Sequence, residues 1–565
     1  MAIPPDAHGS QGLSSRHHFA RTGSQRVRKA SQQVLYVSCS RLEERTPILV
    51  WCSRTRPYSS TKCALRQGHL GSFQGIMSVL TKSLLLAGHI CPKSLWMKVN
   101  GPPQKLRNEL TVRMGNRLNK YLPKVFGDGV DLSHIKDMDQ AVDETMDLLA
   151  DPSVNVIYEA AFQSHGALVR ADVLKRVCDE VWSLYEVKSA SKSKPIHYMD
   201  ACIQKMVIDK MDVIEIDKVF ISLINSDFIY DGQSYDGLLH SERIPNDTVE
   251  SLVTEAETLL DRCKEVVKEP ACPKVTVGKH CTDPYVCSFQ AECDPPYETE
   301  TPISIIPRVG KRLAKKWASH GVYDLTDLPR EELTNPLYLR MWDVHKTKTP
   351  WKSTGDILVG TPWPRYFVDF EFVRQVVPIV KHTKPMDTLP FQWSVHRWDS
   401  LEHIPSLQDT ISFIQYDDPE IHRNFLSSLI DVLGTEGPIY AHNVSTERSV
   451  LKKVVSKDCC KDLKPQVEAI INRLEDTIPL TKALFYSPEM MGSYSLKSIV
   501  KAIPTTVEYG EEGVADGSDA ASHWFDCTEE DITLEEKKHH TEALVRYCAK
   551  DTLALVDLIR FLQSS

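Results

Sequence analysis

Apolar residues along this chain recur with two periods, 2 and about 3.6, and the switches between them mark out its elements. The stretch from Arg365 to Phe372 reads as an aromatic and β-branched strand whose apolar run is broken by Asp369 and Glu371. Residues 390–396 read as the next strand of the same sheet. Tyr440-Ala441-His442-Asn443 closes another apolar strand, after which Glu447 and Leu451 come at helical spacing. Tyr547 and Asp551 stand four apart and share one side of a helix. In the first half, strands are read at residues 156–162, 167–174 and 182–188, then a further one between Met211 and Ile224, and a charged helix from about Val249 to Lys268. The fold class this predicts is α/β, divided between more than one sheet.

Alternation puts Asp369 and Glu371 on the same side of their strand, where both reach one site. Two acids in a buried strand are costly unless a cation neutralises them, and a hard divalent ion with oxygen ligands does so. The pair gains weight from three acids further along the chain: Glu447 four residues after Asn443, Asp476 beside Thr477, and Asp551 four after Tyr547. This order resembles the proofreading-type (DnaQ, DEDD) 3'-5' exonucleases of RNase H-like fold. The resemblance implies that Asp369, Glu371, Glu447 and Asp551 hold two Mg or Mn ions. It also implies that Tyr547 orients or deprotonates the attacking water, and that Asn443 lies against substrate. One departure is visible, since the second motif ends in Glu447 where that family carries Asp.

The first half holds a second acidic set. Glu186 and Lys188 share a strand face by period two, and Asp172 sits on the adjacent strand if the three strands form a meander. Two carboxylates for a divalent ion and a lysine for developing charge suit phosphodiester hydrolysis. The set resembles the PD-(D/E)xK nuclease core, with Asp172 and Glu186 as metal ligands and Lys188 as the catalytic lysine. The next helix, with Tyr198, Asp200 and Gln204, resembles the RecB-type Gln motif and implies that Gln204 meets substrate. The early His of RecB-type enzymes is not evident, and the corresponding helix carries Met114 to Asn119. Around this core lie Cys91 at the start and Cys281, Cys287 and Cys293 at the end. Thiolates select soft centres such as iron-sulfur or zinc. The pattern resembles the iron-sulfur nucleases of the AddB and CRISPR-associated type, which implies a 4Fe-4S cluster stapling the two ends of the domain. Zinc, or four unrelated buried cysteines, are the alternatives.

Length and composition bound the rest. A chain of 565 residues exceeds one core. No run reaches the length of a membrane span, so no membrane partner is expected. A net charge of -9 excludes a generally basic nucleic-acid coat, though not a local basic groove. Fifteen irregularly spaced cysteines do not resemble a secreted disulfide scaffold. Residues 1–77 read as a disordered leader, rich in Ser and Arg, and no Asp or Glu occurs between Arg45 and Arg107. That resembles a mitochondrial transit peptide; the alternative is a leader of no address on a cytoplasmic or nuclear protein. Residues 78–300 are expected to form the RecB-like domain, 301–361 a basic helical linker, and 362–565 the exonuclease domain. Within the linker, the turn and basic helix bearing Lys311 and Lys315 resemble half of a helix-hairpin-helix that would meet a phosphate, or serve only as a spacer. Taken together, the motifs resemble a mainly bacterial, poorly characterised family that fuses a RecB-like iron-sulfur domain to a proofreading-type exonuclease domain, and in which the second motif also ends in Glu. The function expected is a metal-dependent nuclease, a 3'-5' exonuclease on single-stranded or end-exposed DNA or RNA. The alternative is a nucleic-acid-binding scaffold in which one or both folds are inactive.

Overall fold

The computed structural model describes residues 79–102, 109–293, 298–353, 360–510 and 513–564. The leader read at residues 1–77 lies outside them. Seven strands form the first sheet: β1 (Leu80–Thr81), β2 (Val130–Asp131), β3 (Val156–Ser164), β4 (Ala167–Cys178), β5 (Val181–Lys188), β6 (Glu215–Ile224) and β7 (Leu239–Arg243). Their order is β2-β3-β4-β5-β6-β7, with β1 pairing β4 in parallel. β3, β4 and β5 form an antiparallel meander, the condition under which Asp172 lies on the strand beside Glu186. His165 and Gly166, both at positive φ, make the tight turn between β3 and β4. β5 and β6 run parallel, so the chain must cross over between them, and the helix Pro195–Asp209 makes that crossing. This helix packs Met199, Ile203, Met206 and Val207 into one apolar core with Leu174, Trp182 and Leu184 of the sheet.

The second half contains β8 (Trp351–Lys352), β9 (Arg365–Arg374), β10 (Thr388–Trp398), β11 (Ile411–Ile414), β12 (Ile439–Ala441), β13 (Leu474–Asp476) and β14 (Phe485–Tyr486). Five of these form a mixed sheet ordered β11-β10-β9-β12-β13, while β8 pairs with β14. β9 is antiparallel to β10 and parallel to β12. On one face, Tyr366, Val368 and Phe370 pack with Phe425, Leu429 and Leu451. On the other, Phe367 joins a core with Leu553, Val556 and Leu558 of the C-terminal helix Leu534–Gln563. A capping box between Thr533 and Glu536 starts that helix.

Between the sheets, residues 301–347 have a small apolar core of their own, built on Ile303, Ile306, Leu325, Leu328 and Leu333. Gly492, at φ 75, lies against this segment so closely that a Cβ would stand 2.0 Å from the Ile305 carbonyl oxygen. The two sheets are also bridged directly. Arg113 on the helix Glu109–Asn119 pairs with Asp526, and Arg117 on the same helix pairs with Glu529 at 2.9 Å. Val376 and Val377 pack with Phe228 and Tyr235. Among the described residues no helix is long and apolar enough to cross a membrane.

Candidate functional site

Because Tyr366, Val368 and Phe370 face one side of β9, the alternate positions Phe367, Asp369 and Glu371 face the C-terminal helix. There Asp369, Glu371 and Asp551 converge, one carboxylate oxygen of each lying within 4.8 Å of the others. Burial, followed by the charge of Asp551, lifts the Glu371 carboxyl to about 8. Burial, with Asp551, Glu371 and Glu447, pushes Asp369 well above the usual carboxylate range. Asp551 is raised by burial too, against the pull of a Tyr509 hydrogen bond and of Lys497. Crowded acids resist ionising together, and a divalent cation among them would remove that conflict.

Glu447 sits on the helix Ser445–Val455 and is 3% exposed. Burial lifts its carboxyl to about 8, and its Oε2 has no hydrogen-bond partner. It stands outside the tight triad, but its charge acts on both Asp369 and Glu371. A buried, unpartnered carboxylate oxygen is costly and suits a place where a cation would satisfy it. Asn443 is exposed at the turn leading into this helix, at φ 66. Its N–H donates to Asp476 Oδ1 at 3.2 Å and its side-chain oxygen accepts from Ser445 Oγ at 2.7 Å. Asp476 also caps the helix Thr477–Leu484 by accepting from the Ile478 N–H at 2.9 Å, so one carboxylate ties the turn to its neighbour.

Tyr547 is buried beside the triad and accepts a hydrogen bond from Lys497 Nζ at 3.3 Å. Burial and the surrounding acids push its phenol well above the ordinary tyrosine value. Tyr509 donates to Asp551 Oδ1 at 2.7 Å. No motif marks Tyr509 or Lys497, because the fold brings them from 42 and 50 residues away. The C-terminal helix is seated by polar residues spaced by two on β10. Gln392 Nε2 donates to the Leu544 carbonyl at 2.9 Å, and His396 Nδ1 accepts from Thr552 Oγ1 at 2.8 Å. Ser394, between them, is fully buried. These contacts fix where along β9 the residues Tyr547, Cys548 and Asp551 fall.

The second acidic set is assembled differently. Asp172 on β4 accepts the Val187 N–H at 2.7 Å. Glu186 and Lys188 on β5 are paired, Lys188 also pairs with Asp200, and the buried Gln204 amide donates to Glu186. Lys82, which no motif marks, reaches the same carboxylates: its Nζ lies 3.2 Å from Glu186 Oε2 and 3.4 Å from Asp200 Oδ1. Burial works against both ammonium charges, but Asp200 and Glu186 outweigh it and hold Lys82 and Lys188 well above the ordinary lysine range. Asn119 Nδ2, at the end of the helix Glu109–Asn119, donates to Glu159 Oε1 at 2.9 Å. As arranged, Asp172 and Glu186 are met by ammonium, amide and N–H groups and do not fit a divalent ion.

Cys91, Cys281, Cys287 and Cys293 line one cavity, together with Tyr285 and Phe289. Cys91 stands between the helices Lys82–Ile90 and Pro92–Asn100, and the Cys287 N–H donates to the Cys281 carbonyl at 2.9 Å. Burial raises the Cys91 thiol, and Cys287 and Cys281 add to the shift. Among the described residues no three of these sulfurs fall within 4.8 Å of one another. Lys311 and Lys315 lie exposed on the helix Gly310–Ala318.

Residues 366–495 match a domain of unknown function, DUF2779. That span contains Asp369, Glu371 and Glu447 and ends before Tyr547 and Asp551. The comparison with curated proteins gives no match. Among solved structures, the crystal structure of SSO0001 aligns at 13% identity over 36% of this chain and 92% of its own, with a TM-score of 0.16, a likeness too slight to bear on the fold.

Proposed function

We propose that this chain is a metal-dependent nuclease that trims single-stranded or end-exposed nucleic acid from the 3' end, acting at Asp369, Glu371 and Asp551. The observation that carries this reading is the buried acidic triad, with the unpartnered carboxylate of Glu447 in electrostatic reach. Asp369, Glu371, Glu447 and Asp551 would hold Mg or Mn ions, two per site, whose bound form supplies Lewis-acid stabilisation of phosphoryl oxygens and a more acidic water. Tyr547, whose hydroxyl is within hydrogen-bond distance of Lys497 Nζ, would orient or deprotonate the attacking water. Lys497 holds the Tyr547 hydroxyl and adds positive charge where negative charge develops. The Cys548 thiol, raised by burial and by Asp369, donates to Asp369 Oδ2 at 3.4 Å and so helps to hold that carboxylate in place. Exposed Asn443, Lys311 and Lys315 would contact substrate, the lysines through its phosphates. The sheet order β11-β10-β9-β12-β13 supports the RNase H-like part of the resemblance, and the β3-β4-β5 meander supports the PD-(D/E)xK part. The four cysteines would hold a 4Fe-4S cluster, and residues 1–77 would direct mitochondrial import. Incubating the full chain with a 5'-labelled single-stranded oligonucleotide, with and without Mn or Mg, tests the reading. A metal-dependent ladder of 3'-shortened products supports it. Binding with no metal-dependent shortening instead supports the scaffold reading, which the compensated charges around Lys82 favour for the first sheet.

A further inference from the structure

The fold families that the first sheet resembles place a divalent ion between acids equivalent to Asp172 and Glu186, yet here those acids are already engaged. Lys82 bridges Glu186 Oε2 and Asp200 Oδ1, at 3.2 and 3.4 Å. Lys188 bridges the other two oxygens, Glu186 Oε1 and Asp200 Oδ2. The result is a closed, charge-balanced ring of two ammonium groups and two carboxylates, in which all four carboxylate oxygens are taken. The Gln204 amide adds a donor to Glu186, and Asp172 gives one oxygen to the Val187 N–H. A magnesium- or calcium-type ion requires six or more oxygen ligands, and such a ring leaves it almost none.

The position of Lys82 is built in. β1 pairs with β4 through Leu80–Ala167 and Thr81–Leu168, which fixes the backbone immediately before Lys82. Lys82 then opens the helix Lys82–Ile90, whose first turn has no acidic residue. A lysine at a helix N-terminus is opposed by the helix dipole, so it is placed there at a cost that the ring carboxylates offset. The same helix ends at Cys91, so the ring and the cysteine cavity anchor opposite ends of one short helix.

We propose that Lys82 is the resident cation of the first-sheet carboxylate cluster, standing where a divalent ion would otherwise bind, so that this cluster is metal-free and locks β1 and its helix onto β5. The test uses the full-length chain with the other site disabled by Asp369→Asn and Glu371→Gln, and follows free Mn by electron paramagnetic resonance. With Lys82 present, Mn is expected to stay unbound at this cluster, with or without Glu186→Gln. Adding Lys82→Met should create one site, roughly tenfold or more tighter, because it leaves carboxylate oxygens uncompensated, and Glu186→Gln should abolish that site again. Glu186-dependent Mn binding while Lys82 is present would overturn the proposal, and so would a folded Lys82→Met chain that gains no site. If Lys82→Met does not fold, the comparison of the Lys82 chain with and without Glu186→Gln still decides, since Glu186-dependent binding refutes the proposal and its absence upholds it.

Discussion

Glu371 and Glu447 are carboxyls that burial has lifted from the ordinary glutamate value to about 8, and the sign of that shift has a consequence for stability. The folded, metal-free chain keeps protons that the unfolded chain releases above pH about 4.5. The stabilisation from these groups is complete below that pH and is lost as pH rises through about 8. Scanning fluorimetry of metal-free protein should therefore show Tm falling between pH 6.5 and 8.5, with Mg or Mn restoring more at the upper end; a flat or rising metal-free Tm would refute the assignment. Glu447 is also a test of reach. Its helix holds it outside the tight triad, so the extra methylene relative to Asp is needed. Both Glu447→Asp and Glu447→Gln should cost metal-dependent cleavage about a hundredfold, and wild-type rates in Glu447→Asp would remove Glu447 from the site. Asp369 and Glu371 were legible because period two alone sets their common face. Lys82, Lys497 and Tyr509 were not, because each acts on a partner far along the chain that only the folded topology brings near.

The C-terminal helix and β10 form one unit, in which His396 is the clearest probe. Burial lowers its imidazole to about 4, and it is held neutral between Thr552 Oγ1 and the Ser406 carbonyl. A depressed folded pKa gives stability that is present above the unfolded value of about 6.5 and is lost as pH falls toward 4. His396→Ala should destabilise the chain by about 1–3 kcal/mol at pH 7. It should also weaken Mn binding, because Asp551 is carried on the helix that His396 seats, and His396→Gln should flatten the acid limb of the Tm profile. A His396→Ala chain with unchanged stability and Mn affinity would show that the helix is seated by packing alone. Strand and helix periods made these two elements readable. The reason that Gln392, Ser394 and His396 are polar was not readable, since an alternating strand looks the same whether its second face meets water or a helix.

Across the whole molecule, the cysteine cavity joins residues 91 to 293, while the helix Glu109–Asn119 ties the first sheet to the second through Arg113–Asp526 and Arg117–Glu529. The helix Gly517–Asp526, to which Asp526 belongs, begins close to the acidic triad, where a Cβ on Gly517 would lie 3.8 Å from Glu371 Oε2. Anaerobically purified protein should be brown, absorbing near roughly 400 nm as thiolate-bound iron does. Cys287→Ser should bleach that colour and destabilise the first sheet while the second stays folded, whereas a colourless, iron-free wild-type preparation would contradict the cluster. The α/β class and the two acidic sets were visible in the sequence as separate pieces. The bridging pairs were not, because a lone Arg or Glu on a helix surface carries no sign of its partner some four hundred residues away. The most direct measurement is the rate at which the full chain shortens a 5'-labelled single-stranded oligonucleotide in saturating Mn, compared with a folded Asp369→Asn, Glu371→Gln variant. A loss of about a hundredfold or more is expected from removing this electrostatic clamp, and trimming at the wild-type rate by the variant would contradict the assignment of the site.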